Sequence, residues 1–199
     1  MPHETLSYLP LIAVSIPFAA FVLVTCAPNR PAWRNTWSII GSLGTFVAVA
    51  MMYPALAGGS TVVLNLPMII TPLDLTFRVD FLSFFIAIIA SFVWLMATIF
   101  AIDYMNHEKN RGRFFAFFLL TLSGTVGVPL AGDLLSLLFF FELMSLASYV
   151  LVIHTQTEEA YKAGNLYLYL GVFGGMCLLT GIGLIYFYCG SLDITHLLC

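Results

Sequence analysis

Long apolar runs broken by short polar stretches make up most of the chain. Six of them reach the ~20 residues that a ~30 Å hydrocarbon core asks of a helix. They predict helices over about residues 7–26, 36–56, 81–105, 114–131, 133–153 and 164–188. Pro17 falls inside the first run, where its missing N–H is expected to kink the helix. Trp33, in the loop before the second run, and Trp37 stand where interfacial aromatics belong. Residues 60–80 break the pattern: TVVLNL and DLTFRVD alternate apolar and polar positions, and Pro67 and Pro72 interrupt them. That reads as two short strands of an extramembrane β-hairpin. The fourth run ends in Ser123, Gly124, Thr125 and Gly127, small residues that let membrane helices approach closely. Gly132-Asp133 makes a tight turn into the fifth helix, residues 154–162 read as a polar loop, and the sixth helix carries a Gly171/Gly175 GxxxG spacing. The expected fold is an all-α integral membrane protein of about six transmembrane helices, one domain over residues 1–199, with a small hairpin between helices two and three.

Composition sharpens this picture. Of 199 residues, 61% are hydrophobic and 9% charged, against about 25% charged in a soluble domain. A mean hydropathy of +1.00 fits a polytopic membrane protein. The net charge of −3 gives no reason to expect nucleic acid as a partner. The flank MPHET lacks the positive region of a signal peptide, so the first helix is expected to stay in the protein. Loops after the first, third and fifth helices hold Arg30, Arg34, Lys109, Arg111, Arg113 and Lys162, whereas the other side holds Arg78. The positive-inside rule then puts the basic loops in the cytoplasm and the N-terminus and hairpin outside. The expected location is the inner (cytoplasmic) membrane of the cell.

Catalytic chemistry is hard to find. There is no P-loop, dinucleotide fingerprint, nucleophile elbow or HExxH. Cys26, Cys177, Cys189 and Cys199 form no CxxC and read as apolar fillers, with a disulfide between Cys189 and Cys199 left open. His3, His107, His154 and His196 sit in loops, in the tail or at helix ends, and no pair suits a haem. No cofactor or metal is expected, and the chain carries no redox or hydrolytic machinery of its own.

What remains is Glu142, the one ionisable residue deep inside an apolar span. Asp133 can cap that helix, because its carboxylate can accept a backbone N–H at the positive helix end. Nine residues at ~1.5 Å rise set Glu142 roughly 13 Å in, near the midplane. An acid there costs about 2.5–3.5 kcal/mol or more to insert. Hydrocarbon favours the neutral form of such a group and a nearby cation the charged one, so it suits loading and unloading a proton. At ~100° per residue, Leu135, Leu138, Ser145 and Tyr149 share its face, while Asp133 and Ser148 point elsewhere. Ser145 and Tyr149 are thus candidates to hold a water or hydrogen bond beside the carboxylate. His154, at the cytoplasmic end of the same helix, is a candidate entry point for protons, about a third of a turn off that face. The alternative is a buried acid bonded to a neighbouring helix that moves no proton.

Asp80-Phe-Leu-Ser83, Asp103-Tyr104-Met105, Asp133-Leu-Leu-Ser-Leu-Leu and Phe141-Glu-Leu-Met-Ser-Leu-Ala-Ser-Tyr149 together resemble the antiporter-like subunits. These are the proton-conducting membrane subunits of respiratory complex I, Mrp-type Na⁺/H⁺ antiporters and energy-converting membrane-bound nickel–iron hydrogenases. The match covers about residues 75–190 and looks most like the hydrogenase and Mrp branches. It implies that Glu142 is the fifth-helix glutamate of a proton half-channel, exchanging charge with a lysine on a broken helix. Two departures stand out. Phe141 replaces the usual tryptophan, and the position of a sixth-helix lysine falls near Leu166, with Lys162 one turn earlier. The family runs to about fourteen helices in two inverted repeats, so the resemblance implies a short, N-terminal-half form. Such a form takes its lysine from a partner chain in a redox-driven complex, or serves as a truncated structural or assembly subunit. A free-standing small channel is a third reading, with one buried charge and no second repeat.

Overall fold

Hydrocarbon offers no partner for backbone N–H and C=O groups, so each apolar run satisfies its own backbone by coiling. The computed structural model describes residues 4–26, 30–66, 75–105 and 108–194. Its helices are α1 (Leu9–Cys26), α2 (Pro31–Ala50), the single-turn α3 (Tyr53–Ala57), α4 (Phe81–Tyr104), α5 (Arg111–Leu130), α6 (Leu134–Val152) and α7 (Glu158–Cys189). By length and hydropathy they give six candidate membrane spans, α2 and α3 counting as one. The protein is a multi-pass membrane protein.

Burial ranks the helices. α5 is the most enclosed, 56% of its span buried, and α7 the least, at 11%. α5 therefore forms the centre, with α1, α4 and α6 against it, while α7 packs mainly on α6. Polar side chains in the bundle find partners: Ser42 and Thr98 lie 2.7 Å apart, Trp94 Nε1 donates to the Phe118 carbonyl, and Ser123 Oγ donates to Val14 O. The last bond ties α5 to α1 three residues ahead of Pro17. Gly124 and Gly127 mark where α6 approaches most closely. A Cβ at Gly124 would lie 2.7 Å from the Met144 backbone nitrogen, and one at Gly127 would overlap the Phe140 ring.

Strands β1 (Glu4–Leu6), β2 (Thr61–Leu66) and β3 (Leu75–Val79) form one sheet in that order. The β2–β3 pair is antiparallel, Val62 opposite Val79 and Leu66 opposite Leu75. The expected Pro67 and Pro72 breaks lie outside the described residues. β1 is an addition to the expected hairpin: the N-terminal flank pairs in parallel with β2, and Glu4 meets Arg78 in a 3.1 Å ion pair.

The sheet clamps the α5–α6 turn. Gly132 N donates to Thr76 O at 2.7 Å, and Thr76 N donates to Ser136 Oγ at 2.9 Å. A side chain at Gly132 would press on Arg78 N and Cβ at 3.1 Å. From the far side Leu134 N donates to Leu192 O, so the segment after α7 returns to the turn rather than trailing away as a loop. Asp133 holds the start of α6, accepting from Leu135 N and Ser136 N at 2.8 Å and from Ser136 Oγ at 2.5 Å. Asp133→Ala is expected to cost about 1 kcal/mol, as loss of an N-cap usually does, read as a lower unfolding midpoint in detergent.

Three expected helix starts move forward, α2 beginning at Pro31, five residues ahead of the expected start. Residues 158–162 are not part of a polar loop but the first turns of α7. Thr157 Oγ1 caps the helix by accepting from Ala160 N, and Glu158 and Glu159 sit at its positive end. α5 likewise begins at Arg111, three residues ahead of the expected start, behind Asn110 in the left-handed region at φ 54°.

Candidate functional site

α6 runs 19 residues with Glu142 near its centre, eight residues past Leu134. The side chain is half-buried and directed at α7. A Cβ placed on Gly175 would overlap the Glu142 Oε1 atom and lie 3.0 Å from its Cδ. One turn on, a Cβ on Gly171 would sit 2.8 Å from Ser145 Oγ. Farther along, Tyr149 and Ile153 close on Gly164. The two helices are thus antiparallel, and Glu142, Ser145 and Tyr149 all lie along the seam between them. Among the described residues, no hydrogen bond or ion pair reaches the Glu142 carboxylate.

Ser148 belongs to this seam as well, although its azimuth sets it off the Glu142 face. Its Oγ lies 2.6 Å from the Tyr167 hydroxyl of α7 and donates to the Met144 carbonyl at 2.7 Å. The phenol therefore bridges the helices between Glu142 and the His154 end of α6. Tyr167 carries no signal in the sequence, and Gly171 and Gly175 read there only as a close-packing GxxxG pair. Their glycine spacing was visible there, but nothing local says which polar atoms it faces.

His154 takes a different place from the other three candidates. Its ring stands edge-on to Phe114 of α5 at 5.4 Å, and its carbonyl accepts from Arg113 at 2.8 Å. It faces α5, twelve residues or roughly 18 Å of helical rise from Glu142. Arg113 also lines, with Arg34, Glu108, Asn110, Arg111 and Gln156, an open cleft of about 650 Å³. Arg34 is only 4% exposed and stacks over Phe115 at 5.3 Å. His3, His107 and His196 lie outside the described residues, as does Cys199. Cys26, Cys177 and Cys189 are free thiols.

Burial, and then the neighbouring Arg113 guanidinium, hold the His154 imidazole below its ordinary value of 6.5, against opposition from Glu108 and the Lys109 backbone. The folded chain thus takes up this proton less readily than the unfolded one. The stability due to neutral His154 is complete above pH 6.5 and is lost as pH falls from there toward the folded value. Unfolding in detergent is expected to become easier as pH falls below 6.5, and His154→Gln to flatten that slope.

A family described as NADH:quinone oxidoreductase/Mrp antiporter, TM, matches residues 131–199, the stretch that carries Glu142 and its seam. A second, described as NADH-Ubiquinone oxidoreductase (complex I), chain 5 N-terminus, matches residues 68–115. The chain belongs to the antiporter-like membrane subunits. It is 31% identical to a putative antiporter subunit mnhD2 of Staphylococcus epidermidis, over 96% of this chain and 38% of that one. With a Na(+)/H(+) antiporter subunit of Alkalihalophilus pseudofirmus it shares 27% identity, over 95% of this chain and 38% of the relative. This antiporter-like chain therefore spans a little over a third of these relatives' length. Its fold matches a chain of the Mrp complex from Dietzia sp. DQ12-45-1b, with a TM-score of 0.81 at 26% identity, covering 94% of this chain and 35% of that one. A chain of the archaeal membrane-bound sulfane sulfur reductase shares the fold, with a TM-score of 0.78 at 24% identity over 92% of this chain and 28% of its own.

Proposed function

We propose that this chain is a membrane subunit of a multi-subunit, redox-driven ion-translocating complex, hydrogenase-like or complex I-like. In it Glu142 is the proton-loading group of a half-channel, with Ser145 and Tyr149 beside it and His154 on the cytoplasmic approach. The observation that carries this reading is the Glu142 side chain itself. It sits at the centre of a membrane helix, turned into the α6–α7 seam, and no described residue neutralises it. An intramembrane acid is costly, and its usual return is a role in an ion path. The cationic partner that would exchange charge with it comes from polypeptide outside residues 1–199. α7 presents Tyr169, Leu170 and Phe173 as an uncovered surface on which further helices can pack.

The chain would contribute translocation without redox chemistry of its own, in the inner membrane. A second reading makes it a structural or assembly subunit with no ion path. The peripheral position of α7 favours it, since a helix 11% buried is a ready interface. The two separate in one experiment. Glu142→Gln is introduced into the native complex, and proton uptake is followed in inverted membrane vesicles alongside assembly. Loss of uptake in an assembled complex supports the carrier; unchanged uptake supports the structural subunit.

A further inference from the structure

We infer that Gly175 is a positioning residue for Glu142: its missing side chain leaves a notch in α7 that the carboxylate occupies, and this fixes where it points. The inference rests on Glu142 being the proton carrier. Glycines in membrane helices ordinarily serve close backbone packing. Those of α7 divide into distinct kinds. Cβ atoms at Gly174, Gly181 and Gly183 would meet nothing within 4 Å, so packing does not require glycine there. Gly164 faces the hydrocarbon of Ile153 and the Tyr149 ring, which is ordinary packing. At Gly175 and Gly171 the nearest obstacles are polar: the Glu142 carboxylate and Ser145 Oγ.

The kind of obstacle decides the outcome of a substitution. A carboxylate is the far end of a flexible side chain and can swing aside by changing rotamer at small cost. A methyl group at Gly175 therefore leaves the helix pair together while turning the acid out of the seam. The Ser148–Tyr167 hydrogen bond at 2.6 Å pins α6 to α7 between Glu142 and the His154 end of α6, so the helices are held against spreading to make room. Stability and proton transfer should thus separate at this position.

The test uses the native complex in inverted vesicles. Gly175→Ala is expected to assemble normally, lower proton uptake about tenfold or more, and displace the pH of half-maximal uptake, because a transferring group is misplaced by about an ångström. Gly174→Ala, the neighbouring position with open space, should behave as wild type. Glu142→Asp in the Gly175→Ala background, one methylene shorter, should recover part of the lost uptake. Wild-type uptake in Gly175→Ala overturns the inference, as does an equal loss in Gly174→Ala or an absence of recovery in the double variant. Should Gly175→Ala fail to assemble, assembly restored by Glu142→Ala supports the notch, and continued failure overturns it. Normal uptake in Glu142→Gln removes the carrier reading itself. Lost uptake in Glu142→Gln with normal uptake in Gly175→Ala removes only the notch.

Discussion

Glu142→Gln is expected to lower proton uptake by the assembled complex about 10²-fold or more, since a positioned proton-transfer group contributes about 10²–10⁴-fold. The substitution keeps shape and volume and removes only the ability to bind and release a proton. The half-buried side chain makes no ion pair among the described residues, so no charged partner in α1–α7 is orphaned by the change. The amide still occupies the space over Gly175 that the carboxylate fills. Assembly and thermal stability should therefore stay close to wild type, which distinguishes this variant from one that fails by unfolding. Dye-monitored acidification of inverted vesicles, normalised to the amount of intact complex, gives the comparison. Uptake within twofold of wild type would leave a structural subunit as the surviving account, because a subunit that only fills space is indifferent to one proton (about 10²-fold being the loss a carrier predicts).

The second large effect concerns stability, at the α5–α6 contact. Gly124→Ala is expected to destabilise the protein by about 1–3 kcal/mol, the usual cost of overpacking a filled interior. Alanine is the better helix former by roughly 1 kcal/mol, so propensity alone predicts the opposite sign. The contact overrides it. The added methyl would lie 2.7 Å from Met144 N and 2.9 Å from Met144 Cα, backbone atoms that move only if the whole of α6 moves. α6 is not free to move. Its start is tied by Ser136 to Thr76 and by Leu134 to Leu192, and Phe140 packs on Phe77 at 5.7 Å. Gly181→Ala, with nothing within 4 Å, is the control, expected to be neutral or slightly stabilising. Unfolding midpoints of both variants in the same detergent provide the test; equal midpoints would mean that α6 adjusts freely.

Gly124 and Gly175 look alike in the sequence, each a small residue in an apolar helix. Their surroundings give them different parts. At Gly124 the obstacle is main chain and the expected loss is stability, whereas at Gly175 it is a carboxylate and the expected loss is direction. No helical wheel separates these cases, because a wheel orders residues around one axis and says nothing of the neighbouring helix.

What the sequence determined by itself is local. Helix length and hydropathy decide that six segments can cross a bilayer, since each helix satisfies its own backbone in oil. Alternation marked β2 and β3, and the reach of one turn made Asp133 a cap. A rise of ~1.5 Å per residue put Glu142 at mid-helix without reference to any other element. Contacts between distant parts were decided only by the tertiary structure. β1 joins β2 across more than fifty residues, and Leu192 returns to Leu134. The polar stretch 158–162 became helix once Thr157 capped it. His154, on the same helix as Glu142, turned toward Phe114 and Arg113, while Glu142 turned into α7. Periodicity fixes the angle between two side chains on one helix; which neighbour each one meets depends on how separate helices pack, and that is a property of the assembled bundle.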